Sequence, residues 1–358
     1  MTPLGRRSVL GGAGVATAVG AFAGVRAVHT KPEKSRRGRD RYADEDFGLL
    51  DSDRGSLVVA DDGVTLAVRE VGPATAPLTV VFVHGYCLRM DSWHFQRKQL
   101  HRRWGDGVRM VFYDQRGHGR SGTPSAESCT IGQLGRDLHA VLRAVAPTGP
   151  VVLVGHSMGG MSILALARQV PELFGTRVIG VGLLATAAAG LNKTGLSRNL
   201  DNPVIDAFRL AVRTAPGLVQ FGRGAARAII APIMRAASFG TEVSPSLHRF
   251  SDRMLNETSV TTIVNFLKSI ELHDESAAVP VIADLPALVL CGDADMVLPF
   301  SQSETLADAL TNCELVRVVS GGHLVQLEFP IRCTDAIDRL VTRAAEAVDY
   351  EREAGIGG

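Results

Sequence analysis

One stretch constrains the fold more than any other: Val151-Val152-Leu153-Val154-Gly155-His156-Ser157-Met158-Gly159-Gly160. Four consecutive apolar, mostly β-branched residues read as a strand buried on both faces. A glycine–serine–glycine alternation follows at once, and then the helical pattern Met161–Gln169. A buried strand that passes through so tight a turn into a helix is the opening of a strand–helix crossover, and such crossovers build parallel sheets. The turn also has chemical meaning. A serine hydroxyl is a weak nucleophile until it is held at a strained strand-to-helix turn beside a base, and small residues two before and two after it leave room for that turn. The helix behind Ser157 aims its N-terminus at the same place, so the backbone N–H of Met158 can receive negative charge growing on a carbonyl oxygen.

The rest of the chain fits this start. From Gly55 onward short β-branched runs alternate with longer helical patterns. Expected strands are Leu57–Ala60, Val64–Val71, Leu78–Val83, Val108–Tyr113, Val151–Val154, Val178–Leu184, Ala287–Cys291 and Leu315–Val319. Asp61-Asp62-Gly63 reads as a hairpin turn between the first two, so the sheet should begin antiparallel. Apolar residues at 131, 134, 138, 141 and 142 space a helix with one buried face. The rhythm breaks over residues 190–284, where the helical patterns Ile205–Val212, Ala225–Ala237 and Val260–Leu272 are separated by Gly, Pro, Asn and Ser. That interval reads as a helical cap on a core formed by residues 47–189 and 285–350.

A second loop completes the anion-binding arrangement. The strand Leu78–Val83 ends in His84-Gly85-Tyr86-Cys87, where glycine lets the backbone turn and aim the N–H of Tyr86 at the oxygen that Met158 would bind. His84 reads as a structural hydrogen-bonding residue. Together, G-H-S-M-G-G and the turn Asp114-Gln115-Arg116-Gly117-His118-Gly119-Arg120-Ser121 resemble the α/β-hydrolase superfamily, in its lipase, esterase and peroxidase-like branch. The resemblance runs from about Gly55 to Arg343. It implies an α/β fold with an eight-stranded, mostly parallel sheet and a helical cap inserted after the sixth strand.

The resemblance also selects an acid and a base. Ten histidines compete for the base, and the superfamily's chain order of nucleophile, acid, base points to His323, which follows the last expected strand behind Gly321-Gly322. Asp295 matches the acid position of the superfamily's G-x-x-D-x-x-x-P turn, within Gly292 to Pro299, with Asp293 as runner-up, better suited to capping the turn. The implied chemistry is hydrolysis of a carboxylic ester of a small-molecule or lipid-like substrate, through an acyl-enzyme on Ser157. A cofactor-free perhydrolase, a thioesterase and a C–C bond hydrolase would use the same three residues, and a non-catalytic ligand-binding relative is the rival of a different class.

Other signals exclude more than they add. Gly117-x-Gly119-x-x-Gly122 has the spacing of a dinucleotide fingerprint, but Thr123-Pro124 follows, so no helix opens there to receive a pyrophosphate. No metal-ligand motif occurs and no cofactor is expected. The five cysteines form no C-x-x-C and read as free thiols. In the expected cap, Ala215–Phe239 combines apolar residues with Arg223, Arg227 and Arg235, fitting either a packed helix or a face for a lipid chain.

Formal net charge is +1, with basic residues crowded before Arg41, so no nucleic-acid-binding face is implied. Arg6-Arg7 precede an uncharged run over residues 9–25, and both a twin-arginine export signal and an uncleaved membrane anchor fit it. Residues 1–46 are therefore expected to be a membrane-targeting segment and a basic linker. Oligomeric state is not encoded in any of these features.

Overall fold

A computed structural model describes residues 40–189 and 237–354 of the chain. Eight strands form one sheet in the order β1-β2-β4-β3-β5-β6-β7-β8. They are β1 (Arg54–Val59), β2 (Thr65–Val71), β3 (Leu78–Val83), β4 (Val108–Tyr113), β5 (Val151–His156), β6 (Val178–Leu184), β7 (Ala287–Gly292) and β8 (Cys313–Val318). β2 runs antiparallel to both β1 and β4, and the remaining pairs are parallel. The sheet is thus the eight-stranded, mostly parallel one that the sequence implies, with its antiparallel start at the Asp61–Gly63 turn.

Helices cover both faces. They are α1 (His94–Trp104), α2 (Ile131–Val145), α3 (Met158–Gln169), α4 (Pro245–Glu257), α5 (Val260–Glu271), α6 (Phe300–Asp308) and α7 (Pro330–Ala354). α2 illustrates how the sequence makes them. The Thr130 hydroxyl accepts from the Gln133 N–H at 3.1 Å and caps the first turn, and Leu134, Leu138 and Val141 form a fully buried stripe. On this face Leu138 and Val141 pack with Leu164 of α3 and with alternate strand residues such as Val81, Val111 and Leu153. On the other face Val80, Phe82, Val152 and Leu288 meet Leu100 of α1 and Ile337 and Leu340 of α7. β3 to β7 are buried along their whole length, which is why they read as continuous apolar runs.

The chain between β6 and β7 carries α4 and α5, and α5 matches the expected Val260–Leu272 to within one residue. The expected helix Ile205–Val212 lies outside the described residues, as does Ala225–Ala237 except for Ala237 itself. The apolar run 9–25 also lies outside them. Among the described residues no helix is long and apolar enough to cross a membrane.

Among the described residues, those from Asp40 to Phe47 pack on the helices. Asp40 accepts from the Ser246 hydroxyl at 2.7 Å, Phe47 stacks on Phe250 of α4 with ring centroids 4.2 Å apart, and Glu45 reaches both His94 and Lys98 of α1. These residues tie α4 to α1.

Candidate active site

Ser157 sits between the last residue of β5 and the first of α3 with φ 53° and ψ −119°, a left-handed conformation that an L-residue adopts only under constraint. The constraint is visible. Its N–H donates to Leu184 O at 2.9 Å, and its carbonyl accepts from Gly160 N, Met161 N and the Thr186 hydroxyl at 2.9, 3.2 and 2.8 Å. The flanking glycines serve close approach. A Cβ on Gly159 would lie 2.2 Å from Val83 O, and one on Gly155 would lie 2.6 Å from the Gly159 carbonyl. A side chain at Gly159 would push the turn off β3, and one at Gly155 would push the first turn of α3 off β5.

The structure brings Ser157, Asp295 and His323 together. Asp295 follows β7, and its Oδ1 accepts from the N–H groups of Val297 and Leu298 at 2.8 and 2.9 Å, which fixes the carboxylate. Its Oδ2 lies 2.8 Å from His323 Nδ1, and His323 Nε2 lies 3.0 Å from Ser157 Oγ. A carboxylate can only accept, so the proton sits on Nδ1 and the lone pair of Nε2 faces the serine hydroxyl. All three residues are buried. Asp293 is used elsewhere: its carboxylate accepts from Ser320 N at 2.6 Å and pairs with Arg317, so it caps the loop after β8.

Tyr86 and Met158 line the same cavity as Ser157 and His323. Neither backbone N–H has an acceptor among the described residues. Met161, Ile270, Val297 and Leu298 form one part of the remaining apolar wall, and Leu88, Leu255 and Leu324 another.

Three further histidines are buried around the site: His84, which the sequence reads as a structural hydrogen-bonding residue, and His118 and His156, which stand in the sequence as rivals for the base. His84 Nε2 accepts from Gln115 N at 2.8 Å and its Nδ1 donates to Gly85 O. His118 Nε2 accepts from Cys87 N at 3.2 Å and its Nδ1 donates to Arg116 O. His156 Nε2 donates to the carbonyl of His323 at 2.8 Å, joining the nucleophile turn to the loop of the base. Their signal in the sequence was position: His118 lies within the Asp114–Ser121 turn and His156 beside Ser157. Asp114 anchors that turn, with Oδ1 accepting from Met90 N at 2.7 Å and Oδ2 from Arg120 N at 2.8 Å.

These burials give the protein a pH dependence. Burial pushes His84 well below the usual histidine range, His118 down to about 4 and His156 down to about 3. An unfolded chain takes up a proton at each near pH 6.5 while the folded chain does not, so stability is complete above that pH and lost as pH falls toward 4. Asp114, raised by burial to about 6, works the other way, as do Asp91 and Asp137, which burial also raises, because the folded state holds their protons to higher pH. Burial also lowers His94, His139 and His273, so the histidines outnumber these carboxylates. Urea unfolding should therefore give a free energy lower by on the order of 2 to 3 kcal/mol at pH 5 than at pH 7.5; a flat or rising profile would contradict this reading.

The five cysteines are free thiols. Gly117, Gly119 and Gly122 belong to a closed turn, with Gly117 N donating to Gly122 O at 2.9 Å, and the next helix starts only at Ile131. Among the described residues no cluster of three His, Cys, Asp or Glu could hold a metal ion.

Comparison with known proteins agrees with this architecture. A family model described as the alpha/beta hydrolase family matches residues 80–336. An AB hydrolase superfamily protein of Bacillus subtilis is 27% identical over 278 residues, covering 75% of this chain and 92% of that protein. A non-heme chloroperoxidase of Streptomyces lividans is 28% identical over 266 residues, covering 72% and 89%. Among solved structures, an esterase from Exiguobacterium antarcticum superposes with a TM-score of 0.68 at 20% identity, covering 82% of this chain and 100% of that one, a likeness of fold.

Proposed function

Since the chain belongs to the alpha/beta hydrolase family, we propose that it hydrolyses carboxylic esters of small molecules through an acyl-enzyme on Ser157. One observation carries the reading: the unbroken chain of contacts from Ser157 Oγ through both nitrogens of His323 to a buried, backbone-anchored Asp295. Ser157 Oγ attacks the ester carbonyl carbon while His323 Nε2 takes its proton. Asp295 keeps the imidazole in the required tautomer and offsets its positive charge. The carbonyl oxygen, now negative, is received by the N–H groups of Tyr86 and Met158, each worth about 10²- to 10³-fold in rate for a donor of this kind. Collapse expels the alcohol, which recovers the proton from His323, and a water activated by the same imidazole releases the acid.

The wall of Met161, Ile270, Val297 and Leu298 suits an apolar acyl group. Turnover of p-nitrophenyl esters should thus vary with acyl length and pass through a maximum, and oxygen esters should exceed matched thioesters. No dependence on acyl length would contradict an apolar acyl site. A second reading draws on the relative named as a non-heme chloroperoxidase: hydrogen peroxide replaces water as the acceptor of the acyl group, giving a peracid. Peracid formation from acetic acid and hydrogen peroxide, measured beside ester hydrolysis, distinguishes the two.

A further inference from the structure

The hydroxyl of Tyr86 donates to the backbone carbonyl of Ile263 on α5, a helix of the chain between β6 and β7. The same residue carries one of the two N–H groups assigned above to the oxyanion. Its neighbour Cys87 is buried and left-handed at φ 58°, a conformation that the surroundings must hold. One hold is His118, whose Nε2 accepts from Cys87 N at 3.2 Å. The other is α5. Phe266 of α5 lies 5.8 Å from the His118 ring, which in turn lies 6.2 Å from the Tyr86 ring. Thr262 fills the space beside Gly117, where a Cβ would meet its Cγ2 at 2.7 Å. α5 is therefore seated on both the loop after β3 and the turn after β4, and the hydrogen bond that Ile263 O accepts comes from the side chain of the residue whose backbone must be aimed.

We propose that the Tyr86 phenol is a positioning residue: by clamping the loop after β3 to α5, it makes the aim of the Tyr86 N–H depend on the docking of that helix. The inference rests on the oxyanion role proposed for Tyr86. Oxyanion donors act through placement within a fraction of an ångström, so a loop released at one of its two holds keeps the donor but loses its aim.

Tyr86→Phe in the full chain keeps the ring and the N–H and removes the hydroxyl, with its bond to Ile263 O and its contact with the neighbouring Cys87 thiol. It should lower kcat about 10-fold, less than loss of a whole donor, with KM within about 2-fold. Benzeneboronic acid, which adds to Ser157 Oγ as a tetrahedral anion, should inhibit it more weakly by the same factor. Thermal midpoint and the fraction of Ser157 titrated by a fluorophosphonate should stay those of the parent protein. An unchanged kcat overturns the inference. So does a kcat loss that merely follows a fall in titratable Ser157, because that is a structural effect. If Ser157→Ala leaves turnover intact, the active-site reading itself fails and this inference falls with it; if turnover requires Ser157 and Tyr86→Phe is silent, only the clamp is wrong.

Discussion

Replacing Ser157 by alanine should lower turnover of a p-nitrophenyl ester by at least about 10⁴-fold while leaving the thermal midpoint nearly unchanged. Alanine removes the attacking oxygen and nothing that supports the turn. The N–H and carbonyl of residue 157 would still bond Leu184, Gly160, Met161 and Thr186. What remains is the N–H pair at Tyr86 and Met158 and the apolar wall, and such remnants alone typically retain about 10³- to 10⁴-fold over water. The variant should therefore be weakly active rather than dead. Full activity in a folded Ser157→Ala protein would remove Ser157 from the mechanism.

The second large effect lies at Arg116, outside the chemistry. Its guanidinium is fully buried and forked between two carboxylates: Asp137 of α2 at 2.6 Å for both contacts, and Asp62 of the first hairpin turn at 2.6 and 3.0 Å. Burial raises Asp137 and the arginine pulls it back only in part, whereas pairing with Arg116 outweighs burial at the more open Asp62 and lowers it. One side chain thus joins the β1–β2 turn, α2 and the turn that carries His118. Arg116→Ala leaves Asp137 buried without its cation, a class of change that costs about 3–5 kcal/mol. In urea the midpoint should fall accordingly, and the double variant Arg116→Ala/Asp137→Ala should recover part of the loss, since it removes the stranded charge. A loss below about 1 kcal/mol would mean that the pair adds little to the fold.

Much of this architecture was legible because it rests on local pattern. β3, β4 and β6 are bounded from sequence to the residue: β3 and β4 stop at His84 and Asp114, polar residues that leave the sheet, and β6 stops where Ala185 turns to φ 45°. β5 is not. The ladder continues through Gly155 and His156, paired with Leu183 and Leu184, although glycine and histidine look like the start of a turn. Tertiary pairing decided there. Helix α4 was missed even though Ser244 caps it, Pro245 opens it, and Leu247, Phe250 and Met254 share its buried face; those signals are short and lie among Gly, Ser and Thr. The packing of Tyr42 and Phe47 against Phe95 and Phe250 joins residues far apart in the chain, so nothing local announces it. The buried histidines belong to the same class. Their types are common, and only the loops converging on the end of β5 give His118 and His156 their partners.

The central claim, that Ser157 is the residue that takes the acyl group, is tested most directly by covalent labelling with a fluorophosphonate followed by peptide mapping. The account expects one adduct per chain, on the peptide that contains Ser157, with hydrolysis lost in proportion to labelling and labelling much slower in His323→Ala. An adduct on another residue, or ester hydrolysis that persists in fully labelled protein, would contradict it.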